Sequence, residues 1–394
     1  MIIFIQKPLV ISMPPKVAIL ILNWNGWEDT LCCLESVLRL PLPVWRTIVI
    51  DNGSGNDSVT KILEWAQCPP DSLPSRTQQP VNVITYDRVT AERGGSAVGE
   101  EKLADSGSQK FVLVKTESNL GFAGGNNVGI RYAMAQGADY ILLLNNDAYF
   151  RSPDALEAMI GFMERTPTAG ACGGRFFYPN GEPQQSYGNF PTLMRILAYL
   201  FPLYKLLPPQ WLKGVRRSNV IPDEKVTEPL LVDWPSGACL LVRAEAIEDV
   251  GMLDDRFFLY MEEPDWCLRM KEQDWDRYYL PQAEVIHAFG GSVGKTSTSM
   301  RQYHLESQFK YFRKHFPAPA MAVFAAGYFV RSSFSILSWR LSCIFRAHSG
   351  EPSPDIQFWQ QARRLSAAEF RNLLPARAVG QSQTTAASTA VRTT

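Results

Sequence analysis

The 394-residue chain has no excess of charge of either sign: 39 Lys and Arg balance 39 Asp and Glu. Without a basic field, nucleic acid is not an expected partner. Paired cysteines are missing as well. The seven present are scattered, odd in number and without a CxxC spacing. That excludes a disulfide frame and a thiolate zinc site, and predicts reduced thiols in a cytoplasmic setting. Long apolar runs are also scarce, and mean hydropathy is −0.12. The first sixteen residues are briefly apolar, but Lys7 and Pro8 break them. Neither a signal peptide nor a membrane span is expected there. A second apolar segment, 318–330, meets Arg331 short of the ~20 residues a span needs. With the basic punctuation of SSFSILSWRLSCIFR after it, this segment predicts a helix lying on a surface. That surface is another domain or, by peripheral contact, a membrane such as the inner face of the plasma membrane. The stretch 376–394 is rich in Thr, Ala, Ser and Gln and reads as disordered.

What the chain does have is a repeated pattern of apolar strand, polar tip and helix, the signature of βαβ units. Residues 17–22, VAILIL, end on Asn23, Trp24, Asn25 and Gly26, and a helical pattern covers 27–39. Residues 46–50 end on Asp51, Asn52, Gly53 and Ser54, with a helix over 58–66. Residues 68–110, rich in Pro, Gly, Ser and charge, read as a surface insertion around a short strand at 81–86. After a strand at 111–115, glycines at 121, 124, 125 and 129 lead into a helix from about 127 to 136. Their spacing is not that of a GxGxxG dinucleotide turn. A Gly-rich turn at a helix start either presents N–H groups to a phosphate or supplies a tight turn. The stretch DYILLLNNDAYF then carries a buried strand, 140–144, into Asn145, Asn146 and Asp147, with a helix opening near Ser152 and Pro153.

Taken alone, that strand end is an ordinary Asn-rich turn. Three such tips on parallel strands, however, converge on one sheet edge, where open α/β folds bind ligands. Asp51 suits hydrogen bonds from a base or ribose, Asn146 suits sugar hydroxyls, and Asp147 suits a divalent cation shared with phosphate oxygens.

The second half is less regular. Residues 170–178 read as a strand, and 184–228 as a loop-rich, aromatic cover. DWPSGACLLVR joins a small-residue turn holding Trp234 and Gly237 to a strand at 238–242, with Trp234 suited to stack on a sugar face. In FFLYMEEPDWCLRM, Pro264 predicts the first helical position, with Glu263 at the cap and Glu262 before it. Asp265 and Arg269 then pair one turn apart. The helix dipole accounts for carboxylates here, but the apolar run leading into them points to a pocket floor with a general base. The order of preference is Glu263, Glu262, Asp265. His287 ends a strand at 283–286, before Gly290 and Gly291. With Asp147 it forms a ligand pair suited to Mg²⁺ or Mn²⁺.

Seven segments in order, VAILILNWNG, VIDNGSGND, NLGFAGGNNVGIRYA, YILLLNNDA, SGACLLVR, FFLYMEEPDWCLR and IHAFGGS, resemble the family 2 glycosyltransferases. The closest flavour is the bacterial rhamnosyltransferase-like branch that builds surface polysaccharide. The resemblance covers 17–292 and extends weakly over 303–316. It implies an α/β chain of GT-A fold: a Rossmann-like nucleotide-binding half fused to a mixed-sheet acceptor half, with C-terminal helices. The domain would be 17–292, preceded by an extension (1–16) and followed by a helical region (293–350) and a tail (351–394).

The implied reaction moves a hexosyl or deoxyhexosyl group from a nucleotide-diphosphate donor to a hydroxyl of a glycan or lipid-linked acceptor, with inversion. Asp147 matches the metal-binding Asp of the family's DxD-like motif and Asn146 its sugar-facing position, while Asn145 shapes the turn. Asp51, Asn23 and Trp24 match the base and ribose site. Asn25, Asn52, Gly121, Gly125 and Asn126 complete the donor side, and Trp234 and Gly237 face the acceptor. The family's base is the Asp of a Glu-Asp pair, where this chain departs with Glu263. His287 matches a position that touches metal or diphosphate. Two rivals differ in their needs. A nucleotidyltransferase would carry a basic Gly-rich motif where this chain has NWNG, and a non-catalytic glycan-binding module would need neither Asp147 nor the Glu pair.

Overall fold

Apolar runs that end on a polar residue become the parallel strands of one sheet. The computed structural model describes residues 14–40, 45–67, 81–104, 110–201, 225–288, 298–346 and 353–373. The first strands and helices are β1 (Val17–Asn23), α1 (Trp27–Leu38), β2 (Arg46–Asp51), α2 (Ser58–Gln67), β3 (Asn82–Asp87), α3 (Arg88–Glu92) and α4 (Ala97–Ala104). Next come β4 (Lys110–Lys115), α5 (Gly121–Ala135), β5 (Tyr140–Asn145), β6 (Ala148–Phe150), α6 (Ala155–Arg165) and β7 (Ala169–Phe177). Short pieces follow: β8 (Pro183–Gln184), β9 (Tyr187–Gly188), α7 (Leu193–Leu200), β10 (Leu230–Leu231) and β11 (Trp234–Pro235). The chain continues through β12 (Cys239–Arg243), α8 (Ala244–Val250), α9 (Glu262–Glu272), β13 (Asp276–His287) and α10 (Thr298–His315). It closes with α11 (Ala318–Arg346) and α12 (Pro354–Leu373).

The main sheet runs β10-β13-β7-β12-β5-β1-β2-β4-β3, with β6 added to β13 and β8 to β7. From β5 to β3 every pairing is parallel. At β12, antiparallel to both β5 and β7, the sheet becomes mixed. Alternation along β1 sends Val17, Ile19 and Ile21 to one face, with Leu34, Ile62 and Met159. Ala18 and Leu20 go to the other, with Val128, Tyr132 and Met270. Both faces are covered, so the strands read as continuous apolar runs.

Several expectations are corrected. The segment at 68–110 is not a mere surface insertion: β3 pairs with β4 along its length and extends the sheet, and Tyr86, Ala91 and Leu103 are buried. Residues 68–80 and 105–109 lie outside the described residues. Helix α5 starts at Gly121 rather than near 127. Glycine disfavours helix, but a Cβ at Gly125 would press on Leu22 and Asn52, and one at Gly129 on Leu20 and Ile50. The glycines let α5 lie close against β1 and β2. Pro153 precedes α6 instead of opening it, and the Ser152 hydroxyl accepts the Asp154 N–H (3.3 Å). Part of the expected tail is α12.

The apolar segment from 318 does not stop at Arg331. There the guanidinium bonds Ser335 (2.7 Å) and lies over the Trp359 ring (4.9 Å), so α11 runs on. Residues Ala318–Cys343 are long and apolar enough, by composition, to cross a membrane. The chain divides into two compact units, Met1–His315 and Phe316–Thr394. The sheet belongs to the first, and α11 with α12 to the second. The expected extension through residue 13, the 289–297 loop with Gly290 and Gly291, and the stretch from 374 lie outside the described residues.

Candidate active site

The register of the parallel strands sets the site. Asn23 pairs with Asp51 and Leu22 with Asn145, so three polar tips share the carboxyl edge. The chain leaves β1 toward β2 and later returns on the other flank as β5, which opens a crevice between the two tips. Asn23 is fully buried. Its Nδ2 donates to Asp51 Oδ1 (2.8 Å), and its Oδ1 accepts the Gly26 N–H (3.3 Å) and the Thr30 hydroxyl (2.9 Å). Asp51 also accepts from Ser54, from the hydroxyl at 2.6 Å and the N–H at 3.2 Å. Asn25 is exposed in the left-handed region (φ 57°), and its Oδ1 holds the Gly55 N–H at 2.8 Å. Trp24 beside it is half-buried.

The Gly-rich segment does not offer a phosphate cradle at its start. The Leu120 N–H goes to Asn52 Oδ1 (3.0 Å), that of Gly121 to Asn119 Oδ1 (2.9 Å) and that of Phe122 to the Phe258 carbonyl (2.8 Å). Gly121 has φ +74°, and a Cβ there would strike the Phe258 carbonyl. Asn52 is a buried clasp that also donates to the Gly121 carbonyl (3.0 Å), and Asn126 turns back to the Phe122 carbonyl (3.0 Å). Gly121, Gly125 and Asn52 therefore fasten α5 to its surroundings, while Asn126 bonds within α5 itself.

The two asparagines of the β5 tip make different contacts. Asn146 Nδ2 donates to the Gly26 carbonyl (3.0 Å) and the Thr30 hydroxyl (3.2 Å), tying the two tips together across the crevice. Asn145 instead has its amide 3.5 Å from His287 Nε2. β6 pairs with the end of β13, Ala148 opposite His287. This register brings Asp147 Oδ1 to 3.4 Å from His287 Nε2, with both side chains under a tenth exposed. Gln184 Oε1, which can only accept, lies 2.8 Å from His287 Nδ1. A proton on Nδ1 leaves Nε2 with its lone pair toward Asp147. Asp29 lies close by: burial first, then the Asp147 charge, raises its carboxyl above the ordinary range.

Two lone-pair donors facing each other beside a second carboxylate fit a divalent cation. The separation is close to the ~3 Å between adjacent ligands of an ion with bonds of about 2.1 Å. No cluster of three or more His, Cys, Asp or Glu suited to a metal is found among the described residues. An ion here would rely on substrate oxygens for the rest of its sphere, the usual Mg²⁺ arrangement with phosphates.

The carboxylate pair sits on strained backbone. Tyr260 (φ 68°) and Met261 (φ 71°) are both left-handed without being glycine, a conformation that costs of order 1–3 kcal/mol per residue and gathers at functional sites. Met261 is the cap of α9, so the helix begins at Glu262, two residues earlier than expected. Pro264 falls third, where a missing N–H still costs no intrahelical bond. Glu262 is buried, and its Oε2 has no hydrogen-bond partner among the described residues. Burial, then the charge of Glu263, pushes its carboxyl well above the ordinary range. Glu263 is half-buried, and its Oε1 accepts the Gly237 N–H (3.0 Å). Burial raises its carboxyl too, against that hydrogen bond.

Asp265, the third candidate base, sits in a cluster of cations. It is fully buried and bound to Arg269 (3.0 Å), Lys314 (2.6 Å) and His315 (2.7 Å). Burial pushes its carboxyl up, but the bonds to His315 and Lys314 outweigh it and hold the group below the ordinary range. Trp234 pairs with Gly188 in a small second sheet, where the indole occupies the space a side chain at 188 would need.

A chain of contacts joins the two acidic groups. Glu263 receives Gly237 N–H, the Ala238 carbonyl accepts the Asn145 N–H (2.9 Å), and Asn145 adjoins His287 and Asp147. Sequence reasoning missed Gln184, Thr30 and Asp29. Each acts on a neighbour distant in sequence. The left-handed pair at 260–261 was invisible because neither residue is glycine.

A family model described as "Glycosyl transferase family 2" matches residues 94–219. The chain is 32% identical over 248 residues to N-acetylglucosaminyl-diphospho-decaprenol L-rhamnosyltransferase of Mycobacterium tuberculosis, covering 60% of this chain and 76% of that one. It is 26% identical over 202 residues to rhamnosyltransferase WbbL of Escherichia coli, covering 49% of this chain and 70% of that one. Among solved structures, the mannosyltransferase PcManGT from Pyrobaculum calidifontis shares 11% identity over 91% of this chain and 86% of its own. The TM-score is 0.46.

Proposed function

Because this chain belongs to glycosyl transferase family 2, and is an inverting glycosyltransferase of GT-A fold in cell-surface glycan synthesis, we propose that the β5 tip and the start of α9 form its transfer site. The observation that supports this reading is the Glu263–Gly237–Ala238–Asn145–His287–Asp147 chain of contacts, which links the candidate base to the candidate cation-binding pair. The donor is a nucleotide-diphosphate sugar whose base and ribose lie at Asp51 and Trp24. The rhamnosyltransferase names of the relatives support a deoxyhexose. The acceptor is a hydroxyl on a lipid-linked glycan, a class supported by the diphospho-decaprenol named in the M. tuberculosis relative. Six free cysteines among the described residues favour a reducing, cytoplasmic setting.

Asp147 and His287 would hold Mg²⁺ or Mn²⁺ against the diphosphate, and such an ion offsets charge on a leaving nucleotide. Gln184 keeps the His287 proton on Nδ1, so that Nε2 remains a ligand. Glu263 takes the proton of the acceptor hydroxyl as that oxygen attacks the anomeric carbon from the face opposite the leaving diphosphate. The Gly237 N–H fixes one carboxylate oxygen and leaves the other for the proton. Burial raises the carboxyl and so strengthens it as a base, an effect worth about 10²–10⁴ in rate when lost. Trp234 offers its indole beside the same turn to an acceptor sugar. One displacement inverts the anomeric centre, and no glycosyl-enzyme intermediate is required.

The test is release of nucleoside diphosphate from a panel of nucleotide sugars with Mn²⁺ and a polyprenyl-diphosphate-linked acceptor. Acceptor-dependent release from one donor is expected. Absence of turnover with every donor, while nucleoside diphosphate still binds, would instead favour a glycan-binding module.

A further inference from the structure

The unit formed by α11 and α12 carries a surface that the transfer chemistry does not use. Val323, Val330, Phe334, Leu337 and Leu341 of α11 are 45–67% exposed. At 3.6 residues per turn they fall within about 60° of one another, a single apolar stripe. The opposite side of the same helix holds Met321, Phe324, Tyr328, Ser332 and Ile336, all buried. The stripe is thus a second apolar face.

Charge indicates what would cover it. Residues 316–394 hold eight arginines, no lysine and three carboxylates, leaving residues 1–315 with five more carboxylates than cations. Three of the arginines, Arg340, Arg363 and Arg364, are exposed. With Ile336, Gln360 and Ala367 they line a cleft of about 380 Å³ between α11 and α12. Arg363 rests on the Phe329 ring at 5.5 Å, which holds it in place. None of the three forms an ion pair among the described residues. Guanidinium groups match phosphate oxygens in a fork, and an apolar stripe flanked by arginines is the pattern of a helix lying in the headgroup layer of an anionic membrane.

We propose that this surface binds anionic phospholipid: the α11 stripe enters the interfacial layer, and Arg340, Arg363 and Arg364 hold headgroup phosphates. A crossing by α11 is disfavoured because α12 packs along it, with Phe370 on Phe329 and Trp359 under Arg331. A span would carry Arg363, Arg364, Glu369 and Arg371 into hydrocarbon, where such charges are costly. The inference stands independently of the sugar-transfer site.

The experiment is sedimentation of the full chain with phosphatidylcholine vesicles, with and without one third phosphatidylglycerol. Partitioning should rise about tenfold or more with the anionic lipid and fall with salt, as a sum of weak phosphate contacts requires. The Arg340→Ala/Arg363→Ala/Arg364→Ala variant should return to the neutral-vesicle level, and Phe334→Ser/Leu337→Ser should weaken binding to both. These side chains are exposed, and unchanged circular dichroism and Tm would show that the variants fold. Equal partitioning on both vesicles, or a triple variant that still distinguishes them, overturns the proposal. So would a dimer split by Phe334→Ser/Leu337→Ser in sedimentation velocity, which would assign the stripe to a second copy. Protein released from cell membranes only by detergent, not by salt or alkali, would assign α11 as a span and also overturn it.

Discussion

His287 Nε2 stands 3.4 Å from Asp147 Oδ1 because β6 and β13 pair Ala148 with His287, and Gln184 sets the ring from the other side. Asp147 follows a strand tip, and His287 ends a strand 140 residues later in the chain. If they share a cation, Asp147→Ala should abolish the dependence of nucleoside diphosphate affinity on Mn²⁺. Gln184→Leu should weaken it about 10–100-fold, the usual range for a group that orients a ligand. Titration calorimetry with and without chelator measures both. Equal affinities in wild type and Asp147→Ala would remove Asp147 from the site.

Glu263→Gln should lower kcat by about 10²–10⁴ and leave donor affinity near wild type. Because burial raises the Glu263 carboxyl, the acidic limb of the kcat/KM profile should lie above the ordinary Glu value of about 4.3. Activity should rise with pH through that limb, since only the ionised form accepts a proton. Glu263→Asp should keep measurable activity.

Glu262 gives a stability prediction of the opposite kind. Its carboxyl is raised by burial and then by Glu263. The native state therefore binds a proton that the unfolded chain releases, and stability falls as pH rises above the unfolded value of about 4.3. Glu262→Gln removes that loss. Its Tm should exceed wild type at pH 8 and match it near pH 5, as scanning calorimetry would show. A constant difference at both pH values would contradict this titration.

Asp265→Ala should unfold the region rather than merely silence it. The change strands Arg269 and Lys314 beside His315, and breaking a buried pair costs roughly 3–5 kcal/mol. The Asp265 carboxyl is held low, so its contribution is present above the unfolded value of about 3.9 and lost as pH falls through the native one. Urea denaturation at pH 7 and pH 3 should show the wild-type advantage shrinking with acid. A stable, inactive Asp265→Ala protein would instead restore Asp265 as a catalytic candidate.

Outside 68–110, the order of strands and helices through β5 was legible in the sequence because each buried strand is a continuous apolar run with a polar stop. Residues 17–22 and 140–144 show it, and so does Asp147 as the acidic end of such a run. The sequence also located the Glu262–Glu263 pair, since an aromatic run into two carboxylates is visible without coordinates. Tertiary structure alone decided which polar groups remain for a ligand. Asn52 and Asp265 look as available as Glu263 on paper, yet their hydrogen bonds are taken up by Leu120 and Lys314. The partners lie up to 68 residues away, and local pattern carries no information about such distant pairings. Likewise α5 begins on glycines because β1 and β2 lie against it, and α11 passes Arg331 because Trp359 receives the charge. At the glycines of α5, packing across the fold outweighed a local propensity of about a kilocalorie per residue.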